Sequence, residues 1–504
     1  MKRHIHPYFQ LLATALMLFL ASCANHPDVP SSSKEAKSLP AIFPDYCNVT
    51  VPCNIAPLNF MLPADEYEAC VARFSTPDGQ QQTYGNGVKV QIDEDEWHDM
   101  LNATKGKSMK VEVWGLKKDG EWLSFNPFEI HVAQEPIDEY VSYRLIEPSY
   151  VAWNFMEISQ RNVTTFEETQ IFNNEITSTD RAKGQCINCH SYQNYKTDNM
   201  LFHVRLSNGG TVIVNDGKIS KVDLRRDYTI SGGAYPAWHP TAKLVAFAAC
   251  KTRQAFHTAN PNKIEVFDLA SDLILYDVNT DSVSIICNDT TTLEVYPTWS
   301  PDGKYLYYCK TMPLPEELRD KDIRFTFEKI QYNLYRRTFD EATHQFGDEE
   351  LVYDAVAQDK SATLPRVSPD NRYLLFAQGR YGCFHIRHTD GDIVCMPLAA
   401  DSVAQGGEKP SPLDLSLFNS EGFADSYPSW SSNGHWIMCS SRRGDGNYSR
   451  IYFAYFHDGK VEKAFMLPQE DPEHNTYNIK CYNRPEFMVE PVRFDAEDFS
   501  RAFF

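Results

Sequence analysis

The sequence predicts a mainly β chain: an N-terminal β-sandwich-like domain, a short partly helical segment, and a long C-terminal region of repeated strands. Three observations predict it. A proline block recurs as Tyr235-Pro236-Ala237-Trp238, Tyr296-Pro297-Thr298-Trp299, Leu364-Pro365-Arg366-Val367 and Tyr427-Pro428-Ser429-Trp430, with a degenerate copy at Arg484-Pro485-Glu486-Phe487. Strand-like runs follow the first four copies, from Leu244 (LVAFAAC), Tyr305 (YLYYCK), Tyr373 (YLLFAQ) and Trp436 (WIMCSS). Residues 41–135 carry short period-two runs separated by turn signals.

In chain order, residues 1–22 read as an export signal. Lys2 and Arg3 precede a ten-residue apolar run at 11–20, too short to cross a bilayer. The run ends in Leu20-Ala21-Ser22-Cys23, which resembles the lipobox of bacterial lipoproteins. That resemblance implies cleavage before Cys23, acylation of it, and a lipid anchor in the membrane. Ala24 carries no inner-membrane retention signal, and residues 23–40 form a Pro/Ser-rich tether without a dense acidic run. The expected address is the outer membrane, facing the periplasm. The alternative is an ordinary signal peptide.

Residues 41–135 contain alternating runs at 88–92 and 109–114, with turns at Pro77-Asp78-Gly79, Gly85-Asn86-Gly87 and Lys118-Asp119-Gly120. Residues 93–101 read as one short helix. Trp97, Trp114 and Trp122 read as core, with a sugar platform as the alternative. Cys47 and Cys53 are close enough in sequence to pair, whereas Cys250, Cys287, Cys309 and Cys439 read as buried free thiols.

In residues 136–200 the alternation fades, and residues 139–146 and 149–158 read as helical turns, with Thr164 or Thr165 as a helix cap. This segment holds Cys186-Ile187-Asn188-Cys189-His190, the attachment pattern of a c-type haem. Two thiols at this spacing each add to a haem vinyl group, and His190 reaches the iron as proximal ligand. With thirteen Cys and fifteen His in 504 residues, about 0.01 accidental matches are expected. Three other readings stand beside it: a redox dithiol, half of a zinc site, and two unrelated thiols. No second C-x-x-C and no βαβ pattern accompanies the motif. For the sixth ligand position the candidates are His203 and Met200, with Met156 upstream and an open site as alternatives. Tyr192 and Tyr195 are near in sequence and receive no role.

Residues 201–504 hold the repeat, whose prolines at 236, 297, 365, 428 and 485 are separated by steps of 61, 68, 63 and 57. Ser300-Pro301-Asp302-Gly303-Lys304 and Ser368-Pro369-Asp370-Asn371-Arg372 supply hairpin turns. The pattern resembles the TolB-like β-propeller repeat, which implies four-stranded blades stacked in a ring with the Trp packed between them. Six blades are expected, with five or seven as alternatives. Residues 203–214 supply two strands before the first copy, and the C-terminus closes the ring. The stretches at 54–60, 184–191 and 200–203, with later blocks at 384–388 and 448–453, resemble a group of Bacteroidetes lipoproteins of TolB-like or cytochrome-related type. That resemblance implies the architecture and no defined reaction.

The net charge of −20 argues against nucleic acid and against docking on anionic lipid, and it favours a basic protein partner. Three functions follow. In the first, one covalent haem c passes electrons to or from a redox partner docked on the propeller. In the second, the propeller is a redox enzyme with a further site in its channel. Cytochrome cd-type nitrite reductases have such a layout, with a larger propeller, and His385 with His388, or His239 with His257, are candidate ligands. In the third, the propeller is an envelope scaffold binding a protein partner and the haem is structural. No Ser-His-Asp signature, phosphate loop or dinucleotide fingerprint is present.

Overall fold

The structure, a computed structural model, describes residues 26–147, 155–177, 185–206, 208–315, 326–398 and 411–503. The leader and Cys23 lie outside them. Residues 140–488 form a six-bladed β-propeller. Blade 1 has strands Gln185–Gln193, Lys196–Leu206, Gly210–Asn215 and Lys218–Val222. Blade 2 runs from Gly233–Trp238 to Ser282–Cys287, and blade 3 from Glu294–Trp299 to Gln345–Tyr353. Blade 4 has three described strands, from Ser361–Val367 to Asp392–Pro397. Blade 5 starts at Asp425–Trp430 and Trp436–Ser441.

Blade 6 is made from both ends of the chain. Tyr140–Ile146, Glu157–Asn162 and Glu168–Asn173 pair in sequence, and Cys481–Met488 adds antiparallel to Tyr140–Ile146 as the innermost strand. Successive inner strands touch, and the last touches the first, so the ring is closed. The blade number is as expected, but the ring begins at Tyr140 rather than at 201. The helical turns expected over 139–146 are a strand, the chain after Thr164 and Thr165 enters a strand rather than a capped helix, and Glu157–Asn162 is a strand; residues 149–154 lie outside the described residues. The physical reason is burial on both faces. Val141, Ser142 and Tyr143 are consecutive and all buried, so a strand between two blades shows no polar–apolar alternation to read.

Each inner strand carries one bulge at the same place. The residues in it with positive φ are Cys189 (47°), Tyr235 (50°), Tyr296 (53°), Leu364 (56°), Tyr427 (55°) and Arg484 (52°). Ladder register shifts across each of these positions. Five of the six next residues are proline, which needs no ladder partner for an N–H and therefore suits a bulge. The sixth is His190. The haem motif is thus the inner strand of blade 1 and an unrecognised sixth copy of the repeat, with Cys189-His190-Ser191-Tyr192 where blade 2 has Tyr235-Pro236-Ala237-Trp238.

Tryptophans lock neighbouring blades. Trp299 Nε1 donates to the Ala237 carbonyl at 3.1 Å, and Trp430 Nε1 to the Arg366 carbonyl at 3.1 Å. Both are nearly inaccessible, so each indole N–H must find a partner and the blade before it supplies one. The turn after Trp299 is held by Ser300 Oγ donating to Asp302 at 2.7 Å, with Gly303 at φ 72°.

The N-terminal domain has one seven-stranded sheet, a two-stranded ribbon of Phe60–Met61 and Lys89–Val90, and the helix Glu94–Thr104 capped by Asp93. Lys34–Glu35, from the expected tether, pairs in parallel with Trp122–Ser124 at the sheet edge. Trp97 is fully buried edge-on to Phe74, and its Nε1 donates to the Ile55 carbonyl. Trp114 and Trp122 are half-buried. The domain shares one apolar core with blade 5, including Trp436, Met438 and Phe453. Cys47 and Cys53 do not pair. They flank the strand Val49–Val51 and contact the carbonyls of Pro40 and Gln134 respectively. Cys287, Cys309 and Cys439 are buried free thiols, and Cys250 is a half-buried one. Among the described residues no helix is long and apolar enough to cross a membrane.

Candidate functional site at the centre of the ring

The six bulged residues place one side chain each at the centre of the ring. Cys189, Tyr235, Tyr296, Leu364 and Tyr427 belong to one core cluster, and the Tyr235 and Tyr296 rings stand 4.6 Å apart. Arg484, the sixth, is charged and only 7% exposed. One step along the strands, Arg366 of blade 4 reaches Glu486 of blade 6 at 2.6 Å, an ion pair across the channel.

Around Cys189 the chain gathers arginines from several elements. Arg484 comes from the inner strand of blade 6 and Arg144 from the strand beside it. Arg205 stands opposite Cys186 in the blade 1 ladder. Arg387 ends the short 3-10 helix His385–Arg387, and Arg442 follows Trp436–Ser441 of blade 5. Burial alone would raise the Cys189 thiol, but Arg484, Arg205 and Arg144 together outweigh it, and the net shift is downward. At Cys186 burial wins over Arg205 and Arg144, and the thiol is raised. Both thiols are unpaired, and Asn188 Nδ2 donates to Cys186 Sγ at 2.9 Å while its Oδ1 accepts from Arg144.

His190 is fully buried; the Ser142 backbone faces its ring, and neither ring nitrogen makes a hydrogen bond of normal geometry among the described residues. Burial, then Arg484 and Arg144, push it down to about 3, so the imidazole is neutral at pH 7. A neutral imidazole is the form that ligates a metal. Cys186 packs at the edge of the apolar core between blades 6 and 1, whereas Cys189 belongs to the core at the centre of the ring; both thiols are free and the imidazole is neutral, the states from which a haem would be attached and ligated. The motif lies on a propeller strand, Gln185–Gln193, instead of in a separate partly helical segment. Among the described residues no three His, Cys, Asp or Glu side chains are arranged to hold a metal ion on their own.

The two candidates for the sixth position separate. His203 stands opposite Asn188 in the blade 1 ladder, contacts Thr211 Oγ1 at 3.4 Å, and borders a cavity of about 460 Å³ with Arg205, Asp223 and Cys250. Burial and Arg205 hold His203 down to about 3. Met200 pairs with Tyr192 and is packed in the apolar core between blades 6 and 1 with Phe202 and Ile187. Met156 belongs to the same core.

The other histidines are re-paired by the fold. His239 shapes a turn: Nδ1 accepts from the Ala242 N–H at 3.0 Å, and the ring lies against Trp299. His257 and His388 instead meet at Glu265, at 3.5 and 3.0 Å, and Tyr381 donates to the same carboxylate at 2.8 Å. Glu265 lies on the long strand Ile264–Asp277 of blade 2, so this cluster fastens the blade 2 hairpin to the loop after the second strand of blade 4. His385, fully buried, contacts Thr363 Oγ1 at 3.1 Å. Burial, then His388, push His385 down to about 3. An unfolded histidine titrates near about 6.5, so this group's stabilisation is complete above that value and is lost as pH falls from about 6.5 towards 3. We expect it to contribute a slope of about 1.4 kcal/mol per pH unit in that window. Urea unfolding of His385→Gln across the window should show a shallower acid limb than the parent; parallel limbs would contradict the assignment.

The channel arginines were missed by sequence reasoning because they come from four blades and form no run. One signal was present: Arg484 is a charge at the repeat position that elsewhere holds Tyr, Leu or, in blade 1, Cys189.

No family model matches the chain, and no curated protein matches it. Among solved structures it is similar to one from a study of two prolyl endopeptidases (10% identity, TM-score 0.33, covering 65% of this chain and 42% of that one). It is similar also to prolyl oligopeptidase B from Galerina marginata (9%, TM-score 0.35, 80% and 53%). A third is the β-propeller domain of Myceliophteria thermophila Cps50 (Swd1) (12%, TM-score 0.29, 55% and 85%). The chain thus spans about half or less of the length of the two peptidase structures.

Proposed function

We propose that this chain is a lipid-anchored, periplasm-facing outer-membrane protein of TolB-like type that carries one haem c and passes electrons to or from a protein partner docked on its propeller. The observation that carries this reading is the buried, neutral imidazole of His190 on the same strand as the free thiols of Cys186 and Cys189. When bound, the haem supplies a single exchangeable electron at its iron. Cys186 and Cys189 would hold the group, and His190 would ligate the iron. His203 and Met200 are the candidates for the remaining ligand position; their ladder partners, Asn188 and Tyr192, each lie two residues from His190. Arg144 and Arg205 set positive charge beside the attachment strand, and the closed ring keeps that strand out of water. Cys23 would carry the lipid.

The net charge of −20 favours a basic partner through long-range attraction. Stopped-flow reduction by a small basic redox protein should therefore slow at least tenfold between about 10 and 200 mM salt, as the Debye length shrinks. A rate independent of salt would count against an acidic docking surface, and no electron exchange would count against the function.

A further inference from the structure

The arginines at the centre of the ring are more numerous than the fold uses. Arg144 stands opposite Asn483, beside Arg484; the 3-10 helix ending at Arg387 packs on the strand of Tyr427; and the Arg442 N–H donates to the Ala424 carbonyl just before that strand, so all four lie within electrostatic reach of Tyr427. Among the described residues Arg144, Arg387 and Arg442 have no ion-pair partner. Arg484 has only Glu486, at 3.9 Å, and that carboxylate is already held by Arg366 at 2.6 Å. Buried guanidinium nitrogens are left without partners: Nε of Arg144, Nε and Nη2 of Arg442, and Nη1 of Arg484. Burial, then Arg442, hold Arg387 down to about 10, and Arg442 is lowered too. Buried charges are normally paired, because an unpaired one forfeits its hydration without return. A chain of net charge −20 that gathers four arginines here, three of them with buried guanidinium nitrogens left unbonded, is built to receive a negative group.

We propose that Arg144, Arg387, Arg442 and Arg484 form a binding site, at the centre of the propeller, for an oxyanion group, carboxylate or phosphate. The planar guanidinium fork matches either group with two parallel N–H donors. The site stands whether or not the chain carries haem. If it does, the carboxylate has two possible sources, a propionate of the haem held at Cys186 and Cys189 or a free small anion.

The experiment uses the mature full-length chain, the same chain with Cys186→Ala and Cys189→Ala, and Arg387→Gln and Arg442→Gln in each. Thermal unfolding is followed while inorganic phosphate or succinate replaces chloride at constant ionic strength. The thiol-free chain should be stabilised saturably by one of these anions, and each arginine variant should weaken that response about tenfold. Without anion the arginine variants should melt no lower than the parent, since each removes an unpaired charge; a purely structural arginine would lower the melting temperature. A parent with haem that no longer responds, and whose reduction potential shifts in Arg442→Gln, identifies the propionate as occupant. A parent that responds like the thiol-free chain identifies a free anion. Absence of haem in the parent would defeat the haem reading while leaving the anion titration to decide this one. No saturable response in the thiol-free chain would overturn the proposal.

Discussion

Deletion of residues 481–504 is expected to abolish cooperative folding of the propeller. The removed strand, Cys481–Met488, is the innermost strand of blade 6 and joins the C-terminus to the chain before blade 1. Cys481, Tyr482, Phe487 and Met488 are all at most 3% exposed. At roughly 1.5–3 kcal/mol for each fully buried apolar side chain, their loss is on the order of 10 kcal/mol, against about 5–15 kcal/mol for a typical domain. Polar anchors go as well: Ser440 Oγ and Ser449 Oγ donate to the Tyr482 carbonyl at 2.7 and 2.9 Å. The truncated chain would also expose the ladder edge of Tyr140–Ile146, an invitation to aggregate. Size-exclusion chromatography and a urea titration followed by tryptophan fluorescence would show this. A soluble monomer with the parent's midpoint would mean that the ring does not depend on its C-terminal strand.

Replacing both Cys186 and Cys189 by alanine is expected to remove all covalent haem while leaving the fold in place. Neither thiol forms a disulfide, and each loses only a sulfur from the inner strand of blade 1. The stability cost should be about 1–2 kcal/mol per site, the scale of a small buried deletion. Protein made with the c-haem maturation machinery present should change from coloured to colourless, with circular dichroism unchanged. A variant as red as the parent would place the haem elsewhere.

The propeller was legible because its repeat keeps chemistry that the bulge and turn require. Proline follows the left-handed residue, and Asp-Gly or Asn-Gly turns the hairpin. Blade 6 was not legible over Tyr140–Asn162, where burial on both faces erases alternation. Blade 1 was hidden for a different reason. His190 stands in the proline's place and Tyr192 in the tryptophan's, so the motif read as an insertion between domains instead of a strand inside one. Cys186, Cys189 and His190 stood out from spacing alone, since C-x-x-C-H is local. The arginines around them did not, since only the closed ring brings Arg144, Arg387, Arg442 and Arg484 together. The histidine pairs show the same limit: the rings of His385 and His388 stay 5.9 Å apart, but the link from His388 to His257 through Glu265 exists only in the fold.

Cys186, Cys189 and His190 are proposed to hold one haem on the inner strand of blade 1. A pyridine haemochrome determination on the mature chain, made with the maturation machinery present and normalised to protein, tests it most directly. One covalent c-type haem per chain is expected. A colourless protein, or a haem removed by acid–acetone extraction, would contradict it.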